Sequence, residues 1–511
     1  MKRLVIRDGR VLDVETRRAD HADILIEDDT IRSVGAPDMA APEDAEPVNA
    51  ADRLLMPGLV NGHTHGHGGL GKGLVGDRVT LELFLSAAGG ISGNRTAEDK
   101  YLSAAICAVE MVKRGCTAAY DLTVEFPLPS AEGIAAVAQA YHDVGMRAVV
   151  APMMADRSLF HALPGLIESM PEQVRDEISR MVAAPCHASI DVCRSILQGW
   201  RYDRRRIRPA LAPTIPLHCS DDFWVACRNL ARDYDVGLQT HLAETKTQAV
   251  IGHKKYGKSL TAHLAALGLL EERFSAAHAI WIDNDDVARL ADAGCSAIHN
   301  PMSNLRLGSG VAPVRAMLSR GLRVGIGTDG TNTSDGQNMF EATRLAAYLS
   351  RIATPDHAKW LSVEEVIRMA TTGGMGILGF PDVGRLAPGY KADIVFLDLG
   401  HITYVPLRDP LPQVVFAESG AALDSVMIGG QFVMRGGKLL TLDESKLRRD
   451  VQTAVDRLDA VNAPALCFAR GVADYVGAFC IGQAHAPYAF TAVWRREHIR
   501  WRRTNLLVGR C

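Results

Sequence analysis

The stretch Pro57-Gly58-Leu59-Val60-Asn61-Gly62-His63-Thr64-His65 decides how the rest of the chain is read. A short apolar run leads into two histidines at i and i+2, and alternation along a strand sends both imidazoles to one side. The pair alone is a weak signal in a chain with 17 histidines. Its weight comes from what stands at the ends of later apolar runs.

Moving outward, predicted strands end near Asp121, Ala155, Thr214, Glu244, Trp281, Pro301 and Asp329, each followed by a helical pattern. Examples of such helices are Ala97 to Arg114, Asp221 to Tyr234, Asp283 to Ala293 and Val311 to Arg320. Eight βα units of this spacing predict an α/β fold, a (β/α)8 TIM barrel over 58–383, with its active site at the C-terminal strand ends. The flanks read differently. Leu4-Val5-Ile6, Asp23-Ile24-Leu25-Ile26 and Thr30-Ile31-Arg32-Ser33-Val34 are short β-branched runs. The same style returns at Ala392-Asp393-Ile394-Val395-Phe396-Leu397 and Val426-Met427-Ile428. Neither flank holds enough strands alone, so 1–57 and 384–443 are expected to join in one small β-sandwich domain. The remainder, 444–511, reads as an amphipathic helical segment and a basic tail, Trp494 to Arg503, expected to be solvated or to contact another subunit.

At 511 residues the chain can bury a large core, and its apolar and charged fractions of 47% and 23% are ordinary for a globular protein. A net charge of −3 gives no electrostatic case for nucleic acid or an anionic membrane. Ten cysteines occur without a Cys-x-x-Cys pair, and most read as reduced core residues. The start is too charged for a signal peptide, and no apolar run reaches membrane-spanning length. A cytoplasmic protein is expected.

The strand ends carry a repeated chemistry. His63 and His65 close the first; His241, with Glu244 three residues on, closes the fifth; His278, His299 and Asp329 follow on the sixth to eighth. A ring of imidazole and carboxylate groups at successive strand ends points to a metal site. His67 is a pocket residue or an exposed one, and Asp121 is a pocket, supporting or capping carboxylate. His218, His253 and His263 read as structural. Gly66, Gly68 and Gly71 satisfy Gly-x-Gly-x-x-Gly, but position 73 is Gly where a phosphate loop needs Ser or Thr. The glycines are better read as letting the loop pass close to substrate.

With these motifs the chain resembles the amidohydrolase superfamily, in its branch of metal-dependent aminoheterocycle deaminases and triazine hydrolases. The likeness spans about Leu4 to Leu440. It rests on the Pro57-to-His65 entry, His241-Leu242-Ala243-Glu244-Thr245, His299-Asn300-Pro301-Met302-Ser303-Asn304, Thr328-Asp329-Gly330 and Gly384-Arg385-Leu386-Ala387-Pro388-Gly389. The resemblance implies one divalent metal ion, Zn2+ or else Fe2+, on His63, His65, His241 and Asp329. It makes Glu244 the proton shuttle and gives His278 and Asp329 catalytic roles. His299, Asn304 and His67 are expected to contact substrate. Relatives with two metals carry a bridging lysine on the fourth strand; Ile207 to Thr214 has none, which favours one ion.

The implied function is hydrolytic deamination of an amino-substituted purine, pterin, pyrimidine or triazine by metal-activated water, releasing ammonia. The alternatives are displacement of chloride or an alkylamine from a triazine-like ring at the same site, or deamination of an adenosine thioether. Deaminases of the latter kind typically carry histidine where this chain has Thr214. A non-catalytic scaffold is the reading from another class, and a complete ligand set speaks against it. The expected partner is a small heterocyclic substrate. Barrels of this kind often pair, which leaves a homo-oligomer open.

Overall fold

Leu59–His65 is the first strand of a parallel sheet whose members follow in chain order: Cys116–Val124, Arg147–Met154, Ile207–Pro213, Gly237–Leu242, Phe274–His278, Ser296–His299 and Arg323–Ile326. The computed structural model describes residues 1–488; the basic tail, Trp494 to Arg503, lies outside the described residues. The eighth strand is broken. Arg323–Ile326 pairs with the seventh, and after Gly327 and Thr328 the chain resumes as Asp329–Gly330 beside Thr64 and His65. That last pairing closes the ring and brings Asp329 against the two histidines. The second strand runs on past Asp121 to Val124, so Asp121 lies within it and does not end it.

The barrel interior is packed by Val60, Ala118, Tyr120, Leu122, Val149 and Ala151, among others, and the helix Gly374–Leu378 plugs its lower end through Met375 and Leu378. At the upper end polar residues replace these. The helices between the strands begin with sequence-local caps: Thr96 and Asp99 form a capping box, and Ser220, Thr245 and Ser259 each accept a backbone N–H.

The two chain ends meet in one nine-stranded sheet, antiparallel except where Arg3–Asp13 runs parallel to Glu46–Asn49 and Arg53–Pro57. Its link is Ile394–Asp398 against Arg53–Pro57. It has its own core of Ile6, Ile24, Ile26, Ile31, Ile394 and Phe396. Arg147, at the start of the third barrel strand, joins the two sheets: its Nε lies 2.8 Å from Asp393 Oδ2, with both side chains almost fully buried. Removing one partner of such a pair leaves an uncompensated buried charge, at a cost of about 3–5 kcal/mol. Asp393→Ala should therefore lower the melting temperature by several degrees, while Arg147→Met with Asp393→Leu should recover most of it. An unchanged melting temperature in the single variant would show that the pair contributes nothing.

The chain then forms a 41-residue helix, Glu444–Ala484, with Pro464 inside it. Against expectation, this helix is long and apolar enough to cross a membrane by length and composition: an 18-residue window reaches a mean hydropathy of 1.3. Its buried residues, including Leu447, Leu458, Val472 and Val476, face protein. The helix packs on Leu81–Ser86, Ala88–Ser92, Ala97–Val112 and Lys246–Tyr256, all near the upper rim of the barrel. Thr247 Oγ1 donates to the Cys480 carbonyl, and Asn94 Nδ2 to Asn462 Oδ1.

Candidate functional site

The side chains expected at the site gather at the upper barrel mouth. The rings of His63 and His65 lie 4.8 Å apart, those of His63 and His241 4.9 Å, and those of His241 and His278 5.5 Å. His63, His65 and His241 form one group able to hold a metal ion, and His63, His278 and Asp329 an overlapping one; within each group the ligand atoms lie within 4.8 Å of one another.

The tautomers of the three histidines follow from what their outer nitrogens meet. His65 Nδ1 is 2.6 Å from the Leu122 carbonyl, and His241 Nδ1 is 2.7 Å from the Thr214 carbonyl. His63 Nδ1 is 2.6 Å from Gln239 Oε1. A carbonyl oxygen only accepts, so each Nδ1 carries the proton and each Nε2 presents a lone pair inward. His65 Nε2 and His241 Nε2 nevertheless stand 3.1 Å apart. Two lone pairs at that distance repel unless a proton or a metal ion lies between them. Nitrogens bound tetrahedrally to zinc at about 2.0–2.1 Å are separated by roughly 3.4 Å, close to the spacing seen. The residues therefore fit a divalent metal.

Asp329 supplies the negative charge, with Oδ1 3.0 Å from His65 Nε2 and 3.5 Å from His63 Nε2. Burial alone would raise its carboxyl, but the neighbouring His63 and His65 hold it well below the usual carboxylate range. Its backbone is left-handed, at φ 64°, as are His278 at 66° and Ala243 at 46°. Strained non-glycine backbone at three strand ends around one cavity marks a functional site. The Asp329 strain is held by bonds to its carbonyl from Thr64 Oγ1 and Gln337 Nε2.

Glu244 is 1% exposed, and neither carboxyl oxygen has a hydrogen-bond partner. Burial, reinforced by Asp329 and Glu82, pushes its carboxyl well above the ordinary value. Oε2 is 3.6 Å from His278 Nε2. His278 is buried and neutral, lowered to about 4 by desolvation, and its Nδ1 is bonded to Asn304 Oδ1 at 2.9 Å. Asn304 thus holds His278 through its oxygen; its Nδ2 has no partner. Asn304→Ala should free the His278 ring and lower kcat by about 10–100-fold, as losses of such orienting partners do. Metal content should stay at the wild-type level, and an unchanged kcat would remove Asn304 from the positioning set.

His299 is buried, with Nδ1 unpartnered and its pKa lowered to about 3 by burial and the neighbouring His278. His67 lies 5.1 Å from the His65 ring, and its Nδ1 accepts the Val124 N–H. His263 is buried, stacked on Tyr256 and paired with Asp221, and His218 is buried as well. Asp121 is neither a ligand nor a helix cap: Oδ1 accepts the Gly66 N–H and Oδ2 the Tyr141 hydroxyl, pinning the turn after His65. A Cβ on Gly66 would sit 2.3 Å from that carboxylate, and one on Gly69 2.3 Å from the Ser103 carbonyl. The sequence reading expects the glycines to approach substrate; what they meet is protein, so they serve close packing, and Lys72 pairs with Glu110.

Sequence reasoning missed Gln239, the Thr214 carbonyl that accepts from His241 Nδ1, and Glu82. Gln239 was detectable, since it stands at i−2 from His241 and so shares its face. Glu82, buried and accepting from Thr245 Oγ1 at 2.6 Å, sits on a short helix with no periodic signal.

Comparison with known proteins agrees with this geometry. The profile of the amidohydrolase family matches residues 54–433. A 5-methylthioadenosine/S-adenosylhomocysteine deaminase of Carboxydothermus hydrogenoformans is 30% identical over 447 residues, 87% of this chain and 96% of that protein. Among solved structures, the zinc complex of an atrazine chlorohydrolase from Arthrobacter aurescens TC1 superimposes with a TM-score of 0.79 at 27% identity, covering 88% of this chain and all of that one. A zinc-bound adenosine deaminase from Xanthomonas campestris does so with a TM-score of 0.77 at 26% identity, over 89% and 98% of the two chains.

Proposed function

The chain belongs to the amidohydrolase family, and from that premise we propose how it works as a metal-dependent hydrolase that deaminates an amino-substituted N-heterocycle. The observation that carries the reading is Glu244: a buried, unpaired carboxyl beside three inward-facing imidazole lone pairs. We assign His63, His65, His241 and Asp329 to one divalent ion, with zinc favoured by nitrogen and oxygen donors in that number and by the zinc in two structural neighbours. Such an ion, when bound, lowers the pKa of a water toward neutrality and stabilises developing negative charge.

The chain's own groups do the rest. Glu244 takes a proton from the attacking water and delivers it to a ring nitrogen, which makes the adjacent carbon electrophilic. Its raised pKa suits a group that must hold this proton between the two transfers. His278, neutral and fixed through Nδ1, presents Nε2 as an acceptor that orients the water. Asp329 balances the charge; Glu244 then takes the second proton, from the hydroxyl now on the ring carbon, and passes it to the amino group, which leaves as ammonia as the carbonyl forms and the ring nitrogen keeps the first proton. His299, Asn304 Nδ2 and His67 are the donors and acceptors left for the heterocycle.

Ammonia release by the zinc-loaded protein across aminopurines, their nucleosides and thioethers, pterins, pyrimidines and triazines tests the proposal. Release from one class supports it and names the ring; no release from any class overturns deamination. The likeness to an atrazine chlorohydrolase favours one second reading, displacement of chloride or an alkylamine, which chloride and amine assays on triazines separate from the first.

A further inference from the structure

The end of the barrel opposite the histidines holds a second cavity, of about 430 Å³, walled by Tyr120, Arg208, Gly237, Ser275 and Arg323 together with the plug helix residues around Gly376. That volume lies in the range of small-ligand sites. Two acids and a third arginine share the wall, Asp235, Glu272 and Arg273, and Asp235 is already paired with Arg273. Arg208 and Arg323 have no carboxylate or carbonyl partner among the described residues. Arg208 lies over the Phe380 ring, 5.7 Å from its centroid, and burial together with Arg204 and Arg273 lowers its pKa. An independent observation comes from Tyr120. It is 2% exposed, its hydroxyl sits against Gly237 in the same wall, and it makes no hydrogen bond. A buried hydroxyl left unbonded costs about 1–3 kcal/mol, so this one is set for a partner that the chain does not supply.

We propose that this lower cavity binds a small phosphate-bearing anion, held by the guanidinium groups of Arg208 and Arg323 and the hydroxyl of Tyr120. Two forked guanidinium groups and a hydroxyl offer more donors than the two oxygens of a carboxylate accept, and they match the three oxygens and double charge of a phosphate. Arg208 over Phe380 leaves an apolar face beside the charges, which suits a phosphate ester as well as the free ion. The wall also reaches the upper site: Ser275 Oγ accepts from Gln239 Nε2, whose Oε1 holds His63. The proposal does not depend on the reaction at the upper site, because binding is read directly.

Calorimetric titration of inorganic phosphate into the metal-loaded full chain, with ionic strength held by chloride, provides the test. One saturable equivalent is expected. Arg208→Gln and Arg323→Gln should each weaken it by about tenfold or more, the scale of losing a charge-assisted bidentate contact. Tyr120→Phe should weaken it severalfold and, by removing the unbonded hydroxyl, should raise rather than lower the melting temperature of the phosphate-free protein. Absence of saturable binding, or binding of wild-type strength in the doubly substituted Arg208→Gln/Arg323→Gln protein, would overturn the site and assign any phosphate to the upper cavity. Repeating the titration with a phosphomonoester, glucose 6-phosphate, identifies the source. If either probe is lost in the double variant the site stands, and the tighter one shows whether the ester or the free ion is its ligand.

Discussion

Asp329→Asn is expected to fold as the wild type does and to lose both its metal and its turnover. The substitution keeps the side chain's shape and tolerates the left-handed backbone that position 329 adopts, where Ala would add strain of its own. What it removes is the charge. The three imidazoles bring lone pairs but no neutralising anion, and Asp329 Oδ1 is the carboxylate oxygen nearest to His65 and His63. Loss of an orienting partner around a metal costs about 10–100-fold in affinity, so loss of a charged ligand should exceed that. Elemental analysis after dialysis should find wild-type protein near one equivalent and Asp329→Asn far below it. One equivalent at wild-type affinity in the variant would show that the ion does not sit on this carboxylate.

Acid should act on the same groups. Burial works against a charged His65, yet its hydrogen bond to Asp329 and that carboxylate's charge raise its pKa overall. Without metal the pair therefore retains a proton to higher pH than an ordinary histidine would. Metal must displace that proton, and its affinity falls as pH is lowered through the raised His65 pKa. Metal titrations at a series of pH values should show this slope, and a pH-independent affinity would contradict it.

Which parts of this site could be read from the sequence follows from the range of the interactions. His63, His65, His241, His278, His299 and Asp329 were legible because each ends a short apolar run, and strand ends of one parallel barrel open on one cavity. Glu244 was legible from its spacing to His241. The carbonyls of Leu122 and Thr214 that fix two tautomers carry no side-chain signal, since any residue offers a carbonyl. Asn304 sits in a motif that pointed to substrate, but its oxygen is committed to His278, a contact across 26 residues that only the fold creates. Asp121 was expected at a strand end, whereas its partners Gly66 and Tyr141 lie 55 and 20 residues away. The alternation that marks a strand also hid the break in the eighth one, where Gly327 and Thr328 interrupt pairing and allow Asp329 to reach Thr64. The closing helix, Glu444–Ala484, was read as amphipathic, but its place on the rim helices depends on contacts such as Thr247 with Cys480, 233 residues apart.

Glu244→Gln should separate chemistry from binding. Glutamine fills the same volume at a position that is 1% exposed, so the fold and the neighbouring ligands should stay in place. Because Glu244 is not among the groups assigned to the metal, the variant should retain it in full. Turnover should fall by at least about 10²–10⁴-fold, the usual contribution of a positioned general acid–base, and further because one carboxyl serves two transfers here. The amide can neither take the water's proton nor give one to the ring and then to the leaving group. His278 cannot replace it: at a pKa lowered to about 4, its Nε2 carries no proton at neutral pH. KM should change little, since binding of the heterocycle does not need the transfer. The burial that raises Glu244 also predicts a direction for the activity profile. The step needs the ionised carboxylate to accept the first proton, so kcat/KM should fall on the acid side as Glu244 becomes protonated, and Glu244→Gln should lose that limb along with the rate. Wild-type turnover in a metal-replete Glu244→Gln protein would remove Glu244 as the shuttle and transfer the proton to a group outside this cluster.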